Sequence, residues 1–315
     1  MDNLTHSLVG ALIGQTGLKR KTGLAMPAVI IGANLPDVDA ACFFWLDGVE
    51  HLGFRRGITH GPIALVLLPL ALAAILYGFD RWQAGRNKRP EGRLPVRFGW
   101  LYLLAFIACL SHPALDWLNV YGIRLLEPFS STWYYGDTLF IIDWVLWLML
   151  GAATWLSWRQ QKRGGAWRRT GQWALTLASG YIFANGVLTG AALQNAGRLA
   201  PIPTTLIASP AAFQPWKREL LYTDETMRWY RADWTPFGLS DGLRLTPEQC
   251  PVGAEHFTTA NSQVDAFLFW SRAPFAERSA DGGVVLRDAR FYDPRARGRF
   301  SVELLGVRCE EPPGP

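Results

Sequence analysis

The chain has 315 residues, half of them hydrophobic and only 18% charged, with a formal net charge of +5. Soluble proteins carry about 25% charged residues, so an ordinary soluble fold over the whole length is excluded. A mean hydropathy of only +0.07 equally excludes membrane spans along the whole chain; the length leaves room for two domains.

Apolar residues crowd into the first 200 positions. In chain order, a short apolar segment covers Leu4–Leu18, followed by five longer ones at Leu24–Leu46, Ile58–Phe79, Phe98–Tyr121, Leu139–Trp158 and Gln172–Leu193. Each of the five approaches the ~20 residues that cross ~30 Å of hydrocarbon, while the first is a short tilted span or a re-entrant segment. Several of the 15 tryptophans flank these runs, among them Trp45, Trp82, Trp100, Trp133, Trp155 and Trp158, as interfacial aromatic belts do. No cleavable signal peptide is expected, because the start MDNLTHSLVG lacks a basic n-region and a clear cleavage site follows nowhere behind it.

Every second loop is basic. Lys19, Arg20 and Lys21 follow the first segment; Arg81, Arg86, Lys88, Arg89, Arg93 and Arg97 follow the third; Arg159, Lys162, Arg163, Arg168 and Arg169 follow the fifth. The intervening loops nearly cancel, with Asp47, Glu50, Arg55 and Arg56 in one and Arg124, Glu127 and Asp137 in the next. Basic loops stay cytoplasmic, so the N-terminus and everything after about residue 197 are expected outside, in the periplasm of a Gram-negative inner membrane. Topology accounts for the basic excess, and no nucleic-acid partner is expected.

Ionisable residues inside spans are costly and mark function. His6, Asp37, Asp39, His60, His112, Asp116 and Asp143 form such a set. At 1.5 Å rise per residue, Asp37 lies about 20 Å along the outward second segment, with His112 about 21 Å and Asp116 about 27 Å along the outward fourth. His6, His60 and Asp143 open inward-running segments. All therefore fall toward the same non-cytoplasmic face.

The local patterns suit a metal. His112 and Asp116, in SHPALDW, are four apart and share one helix face; their bland reading is an ordinary helical His–Asp hydrogen bond. Asn34–Asp39, NLPDVD, sets two carboxylates beside a proline that loosens the helix, which a membrane tolerates where the backbone lines a cavity or is buried in protein. The Thr-His pairs at Thr5–His6 and Thr59–His60 open two segments; each alone reads as a helix-end histidine. Three histidines and three or more aspartates suit zinc, or Mn or Fe. A divalent ion lowers the pKa of its water toward ~7, and a surplus carboxylate, Asp39 or Asp143, would act as general base or orient a ligand imidazole. Cys42 and Cys109 lie in apolar spans as inert packing, and no nucleophile elbow, P-loop or dinucleotide fingerprint is present.

In this order, DNLTHSLVG, NLPDVD, RGITHG, SHPALDW and GDTLFIIDW resemble the bacterial membrane-bound metal-dependent hydrolases of the YdjM-like type, over roughly residues 1–195. The resemblance implies a helical metal-binding core distantly similar to zinc-dependent phospholipase C and P1-type nucleases. It also implies His6, Asp37, His60, His112 and Asp116 as metal ligands and a phosphoester as the scissile bond. A membrane location then suggests a phospholipid or other lipid-linked phosphate as substrate.

After Pro201 and Pro203 the composition changes. Glu219–Trp234, Val264–Arg272, Gly283–Tyr292 and Arg299–Val307 alternate in part and are expected as strands of a small extracytoplasmic β-rich domain. In an oxidising compartment Cys250 and Cys309 are candidates for a disulfide, two lone thiols being the alternative. His256 reads as a surface residue. The fold expected is therefore α+β: a transmembrane bundle of five to six helices over 1–197, then a β-rich domain over 198–315. The function expected is metal-dependent hydrolysis. The alternatives are an ion- or proton-coupled transporter, whose intramembrane Asp and His relay protons, and a non-enzymatic envelope scaffold.

Overall fold

The structure, a computed structural model, describes residues 1–250, 261–307 and 309. Its helices are α1 (Asn3–Gln15), α2 (Ala25–Gly32), α3 (Glu50–Phe54), α4 (Pro62–Gly85), α5 (Phe98–Trp117), α6 (Trp144–Lys162), α7 (Trp167–Asn195) and α8 (Ser262–Trp270). The strands are β1 (Thr205–Ala211), β2 (Gln214–Thr223), β3 (Trp229–Thr235), β4 (Gly238–Leu239), β5 (Leu243–Arg244), β6 (Gln249–Cys250), β7 (Pro274–Arg278), β8 (Val284–Asp288) and β9 (Ser301–Leu304). The chain divides into two compact units. Met1–Asp39, Arg56–Val187 and Ala212–Pro215 make the first; Ala40–Arg55, Leu188–Ala211 and Trp216–Pro315 make the second.

In the first unit α1 packs on α2, α5 and α6, and α5 packs on α2 and α4. Small residues set these approaches. A Cβ on Gly10 would lie 2.5 Å from the Val29 carbonyl oxygen, so only glycine lets α1 and α2 touch there. Ala25, Ala33 and Ala108 continue the same seam beside Ile13, Val29 and Leu104. The expected break at Pro36 is present: α2 and a 3-10 stretch, Leu35–Phe44, meet at 54°.

Among the described residues three helices are long and apolar enough to cross a membrane: α4, α5, and α7 with its continuation to Arg198; the bent pair of α2 and Leu35–Phe44 would make a fourth. Only 22% of the apolar window of α4 is buried against protein, and 39% of that of α5, leaving apolar surface that hydrocarbon matches and water does not. At 13 residues, α1 is too short to span alone. In α6, the tryptophans and the basic end Arg159–Lys162 dilute the apolar run.

The second unit holds two antiparallel sheets, ordered β1-β2-β3-β4, with β5 also on β3, and β6-β7-β8-β9. Leu220 and Tyr222 of β2 face the end of α7 at Ala192 and Ala196, while Leu221 faces Phe275 and Ala289 across the sheets. Two-sided burial explains the incomplete alternation of the strand. Of residues 264–272, expected as a strand, 264–270 lie instead in α8. Asn261 caps that helix by accepting from the Gln263 N–H at 2.9 Å, and Val264, Phe267 and Trp270 recur every third residue as its buried face. Cys250 and Cys309 are joined in a disulfide. His256 lies outside the described residues.

The strongest polar anchor of this unit is the fully buried pair Asp288–Arg290, bidentate at 2.8 and 2.7 Å, with Ser271 donating to the same carboxylate at 2.6 Å. Burial pushes the carboxyl up, but Arg290 and Ser271 outweigh it and hold it below the usual carboxylate range. Breaking such a pair leaves an uncompensated charge and costs about 3–5 kcal/mol. Asp288→Asn is therefore expected to speed hydrogen exchange across β7 and β8. A carboxyl lowered in the folded state stabilises above its unfolded pKa of about 3.9, so this anchor should be complete at neutral pH and weaken as pH falls below 4.

Candidate metal centre

Each motif residue is carried to the centre of the first unit by a separate local device. Asp2 caps α1, its carboxylate accepting from the Leu4 and Thr5 N–H groups at 3.0 and 3.1 Å and from the Thr5 hydroxyl at 2.6 Å. That cap fixes the first turn of α1 and with it His6. Trp147 of α6 donates its indole N–H to the same carboxylate at 3.1 Å. Beyond the Pro36 bend, Asp37 and Asp39 lie on the 3-10 stretch. His60 ends a 3-10 turn, Ile58–His60; a Cβ on the following Gly61 would collide with the Glu127 carbonyl, which is why the motif reads THG. His112 and Asp116 lie one turn apart on α5.

His6, His60 and His112 are fully buried, and Asp116 is 1% exposed. His6 Nε2 lies 3.3 Å from Asp116 Oδ1; His112 Nε2 and His60 Nε2 lie 3.6 and 3.7 Å from Asp116 Oδ2; His112 Nε2 lies 3.8 Å from Asp37 Oδ1. Ligands at 2.0–2.2 Å from a tetrahedral zinc stand about 3.4 Å apart, close to these spacings. Among the described residues two overlapping groups could hold a metal ion: His6, His112 and Asp116, and Asp37, His60 and His112. They share His112, so the five residues form one cluster.

The hydrogen bonding separates this cluster from a helical His–Asp pair. His112 Nδ1 contacts the Ala33 carbonyl at 2.7 Å. A carbonyl only accepts, so Nδ1 carries the proton and the lone pair of Nε2 points inward. That Nε2, both ring nitrogens of His6 and Oδ2 of Asp116 are sealed from solvent and make no hydrogen bond among the described residues. Buried polar atoms without partners are rare in folded proteins, and here they face one another, as donors of a metal site do. His60 Nδ1 is held in the same manner as His112 Nδ1, 3.0 Å from the Thr59 hydroxyl and 3.6 Å from Asp39 Oδ2.

Asp39 Oδ2 also accepts from the Arg56 N–H at 2.8 Å and the Thr59 hydroxyl at 3.1 Å. It thus backs His60 from behind and stands outside both metal-capable groups. Asp143 is also outside them. Its Oδ1 caps α6 at the Leu146 N–H, 2.9 Å, and its Oδ2 accepts from the Tyr181 hydroxyl at 2.8 Å, so the carboxylate ties α6 to α7.

Two groups in contact with the cluster carry no mark in the sequence. The Met1 amino group pairs with Asp116 Oδ1 and is buried; burial draws its pKa below the usual value against the pull of Asp116. Arg56, an ordinary loop charge in the sequence, is 6% exposed and sets its Nε 3.0 Å from Asp116 Oδ2. The adjoining motif glycine Gly57 leaves room for the Arg124 guanidinium, which a Cβ there would strike.

The sequence matches the YdjM inner membrane protein family over residues 1–192, and the chain belongs to that family. It is 29% identical over 141 residues to the uncharacterised protein YfhP of Bacillus subtilis strain 168, a match covering 42% of this chain and 39% of YfhP. The match therefore spans well under half the length of that relative. No solved structure matches.

Residues behind a ligand imidazole set its tautomer and basicity, and their loss typically costs 10–100-fold in metal affinity. If the cluster takes up added divalent metal, Asp39→Asn and Thr59→Val should each weaken that binding within the same range, as read by competition with a chromophoric chelator. Asp143→Asn should leave it unchanged and act only on helix stability.

Proposed function

We propose that this YdjM-family protein is a membrane-bound metal-dependent hydrolase that cleaves phosphoester bonds of a phospholipid or lipid-linked phosphate. The reading rests on one observation: buried ring nitrogens of His6 and His112 and Oδ2 of Asp116, none hydrogen-bonded among the described residues, converge with His60 and Asp37 in a membrane protein. His6, Asp37, His60, His112 and Asp116 would hold the ion. Nitrogen and carboxylate donors at near-tetrahedral spacing favour zinc, with Mn or Fe compatible with the same set. A bound divalent cation supplies Lewis acidity and acidifies a water toward neutral pKa.

The chain's own residues then have distinct tasks. Ala33, Thr59 and Asp39 orient His112 and His60 so that each presents Nε2. Asp37, with a side chain 12% exposed, is the ligand that borders solvent, and it marks the edge at which a scissile group arrives. Hydrolysis would add water across a P–O ester bond and release an alcohol and a phosphate.

Five to six spans with the C-terminal unit outside the cytoplasm fit this reading. A Cys250–Cys309 bridge belongs in an oxidising compartment, and the alternation of basic loops points the same way. A reporter such as alkaline phosphatase fused after Pro315 should be active.

The function itself is tested by elemental analysis and turnover. Purified protein should contain near-stoichiometric zinc or manganese, release phosphate from a lipid phosphate, and lose both on chelation. His112→Ala with Asp116→Ala should abolish metal and activity together. Full metal content in that double variant, or solute flux in proteoliposomes that survives chelation, would sink the proposal.

A further inference from the structure

We infer that Arg56 is the anion-holding residue of this centre, taking a nonbridging oxygen of a phosphoryl group beside the metal. The inference rests on the proposed metal site and names the chemistry of its ligand.

Arg56 is over-determined by its surroundings. Its N–H donates to Asp39 Oδ2 at 2.8 Å, and its carbonyl accepts from the Arg124 N–H at 3.0 Å. Nη1 donates to Asn119 Oδ1 at 3.1 Å and to the Gly122 carbonyl at 3.2 Å, while the guanidinium lies 4.5 Å over the Tyr121 ring. The backbone is left-handed, with φ of +56°, which is strained for a side chain of this size. Such strain persists only where neighbours enforce it, and it clusters at functional sites.

The guanidinium is not used up by these contacts. Arginine has five N–H donors. Nε meets Asp116 and Nη1 serves two oxygens, whereas Nη2 makes no hydrogen bond with any described residue. Nor is Nη2 among the sealed polar atoms, so it keeps an edge toward solvent. The neighbouring buried arginine differs: Arg124 has Glu127 3.5 Å from its Nε and stacks on Trp133. The carboxylate facing Arg56 is Asp116, which the imidazoles also surround. Once Asp116 is engaged by a cation, the charge of Arg56 is no longer matched, and a dianionic phosphoryl group is the ligand that suits both. Nη2 presents its N–H donors from a planar group held in place through Nε and Nη1, where a lysine ammonium offers a mobile point charge. For a membrane protein the phosphoryl group could belong to a lipid headgroup or to a soluble phosphate; the chemistry at Arg56 is shared.

The test uses the full chain in phosphatidylcholine nanodiscs, loaded with zinc, with zinc content by elemental analysis and orthophosphate binding by calorimetry. Wild type should bind orthophosphate only when zinc is present. Arg56→Gln should retain zinc but lose at least tenfold in phosphate affinity, and Arg56→Lys should fall between the two. If Arg56→Gln does not fold, Arg56→Lys decides, since it keeps the charge beside Asp116 and removes the fork. Phosphate affinity unchanged in a zinc-retaining variant would overturn the role of Arg56 and leave the metal site standing. Absence of zinc from wild type would instead overturn the metal site, and the anion role with it. Nanodiscs carrying phosphatidic acid separate the two sources. Occlusion of orthophosphate in wild type but not in Arg56→Gln supports a headgroup, and unaltered orthophosphate binding supports a soluble phosphate at the same residue.

Discussion

Asp116 is a carboxylate held away from water among groups that ordinary hydrogen bonding does not satisfy. Its Oδ2 faces the inward Nε2 of His112 at 3.6 Å and that of His60 at 3.7 Å. Because the Ala33 carbonyl claims the proton of His112 at Nδ1, two lone pairs confront each other across that gap. Lone pairs facing in a low-dielectric interior repel, and the Met1 amino group and Arg56 offset the charge of the carboxylate without bonding the inward nitrogen of His112. Protonating all three imidazoles would set three positive charges in contact, since the His6 and His112 rings stack at 3.8 Å. One cation shared by the inward nitrogens and the carboxylate oxygens relieves both conflicts. The rest of the first unit reads as the apparatus that keeps this arrangement from relaxing.

That apparatus is mostly backbone and small residues. Gly10, Ala33 and Ala108 bring α1, α2 and α5 close enough for residues on three elements to meet. Capping by Asp2 begins α1 where His6 must stand, and the Trp147 indole joins that cap to α6. The break at Pro36 turns the chain so that Asp37 approaches His112 while Asp39 passes behind His60. Second-layer oxygens from Ala33, Thr59 and Asp39 then choose which nitrogen each imidazole presents. Polar groups are thus spent on orientation in a unit whose outer faces are apolar, an arrangement that a bilayer solvates and water does not.

Much of this was legible before any coordinates. The four-residue spacing of His112 and Asp116, the proline beside Asp37, and the alternation of polar residues between segment starts and ends all encode convergence, because helix rise converts sequence distance into depth. Arg56 was not legible. Loop arginines are common, and nothing in RRGITHG distinguishes a solvated charge from one drawn inward by a left-handed backbone turn. Asp143 reads two ways in the sequence, since a carboxylate at the start of a span is equally a helix cap, and it does cap α6 at the Leu146 N–H. Helix α8 was missed because aromatic and branched residues suggested a strand, while the three-residue recurrence of Val264, Phe267 and Trp270 with a capping asparagine carried the true period. The excursion of Ala40–Arg55 into the second unit has no local signature, as pairings between distant segments leave none.

The distribution of burial also orders the elements by task. Helix α5 contributes two of the five clustered residues, and its apolar window is more buried than those of α4 and α7, as expected of the helix on which the others are assembled. Within the cluster the three histidines and Asp116 are sealed, whereas Asp37 has a side chain 12% exposed and Arg56 keeps one edge open. A ligand therefore meets the cluster from the side of Asp37 and Arg56, one anionic and one cationic group. Such a border disfavours a plain cation, which Arg56 repels, and a plain anion, which Asp37 repels. On the proposed reading it suits an anion that arrives where a metal would already neutralise Asp37, so that the two would share the centre.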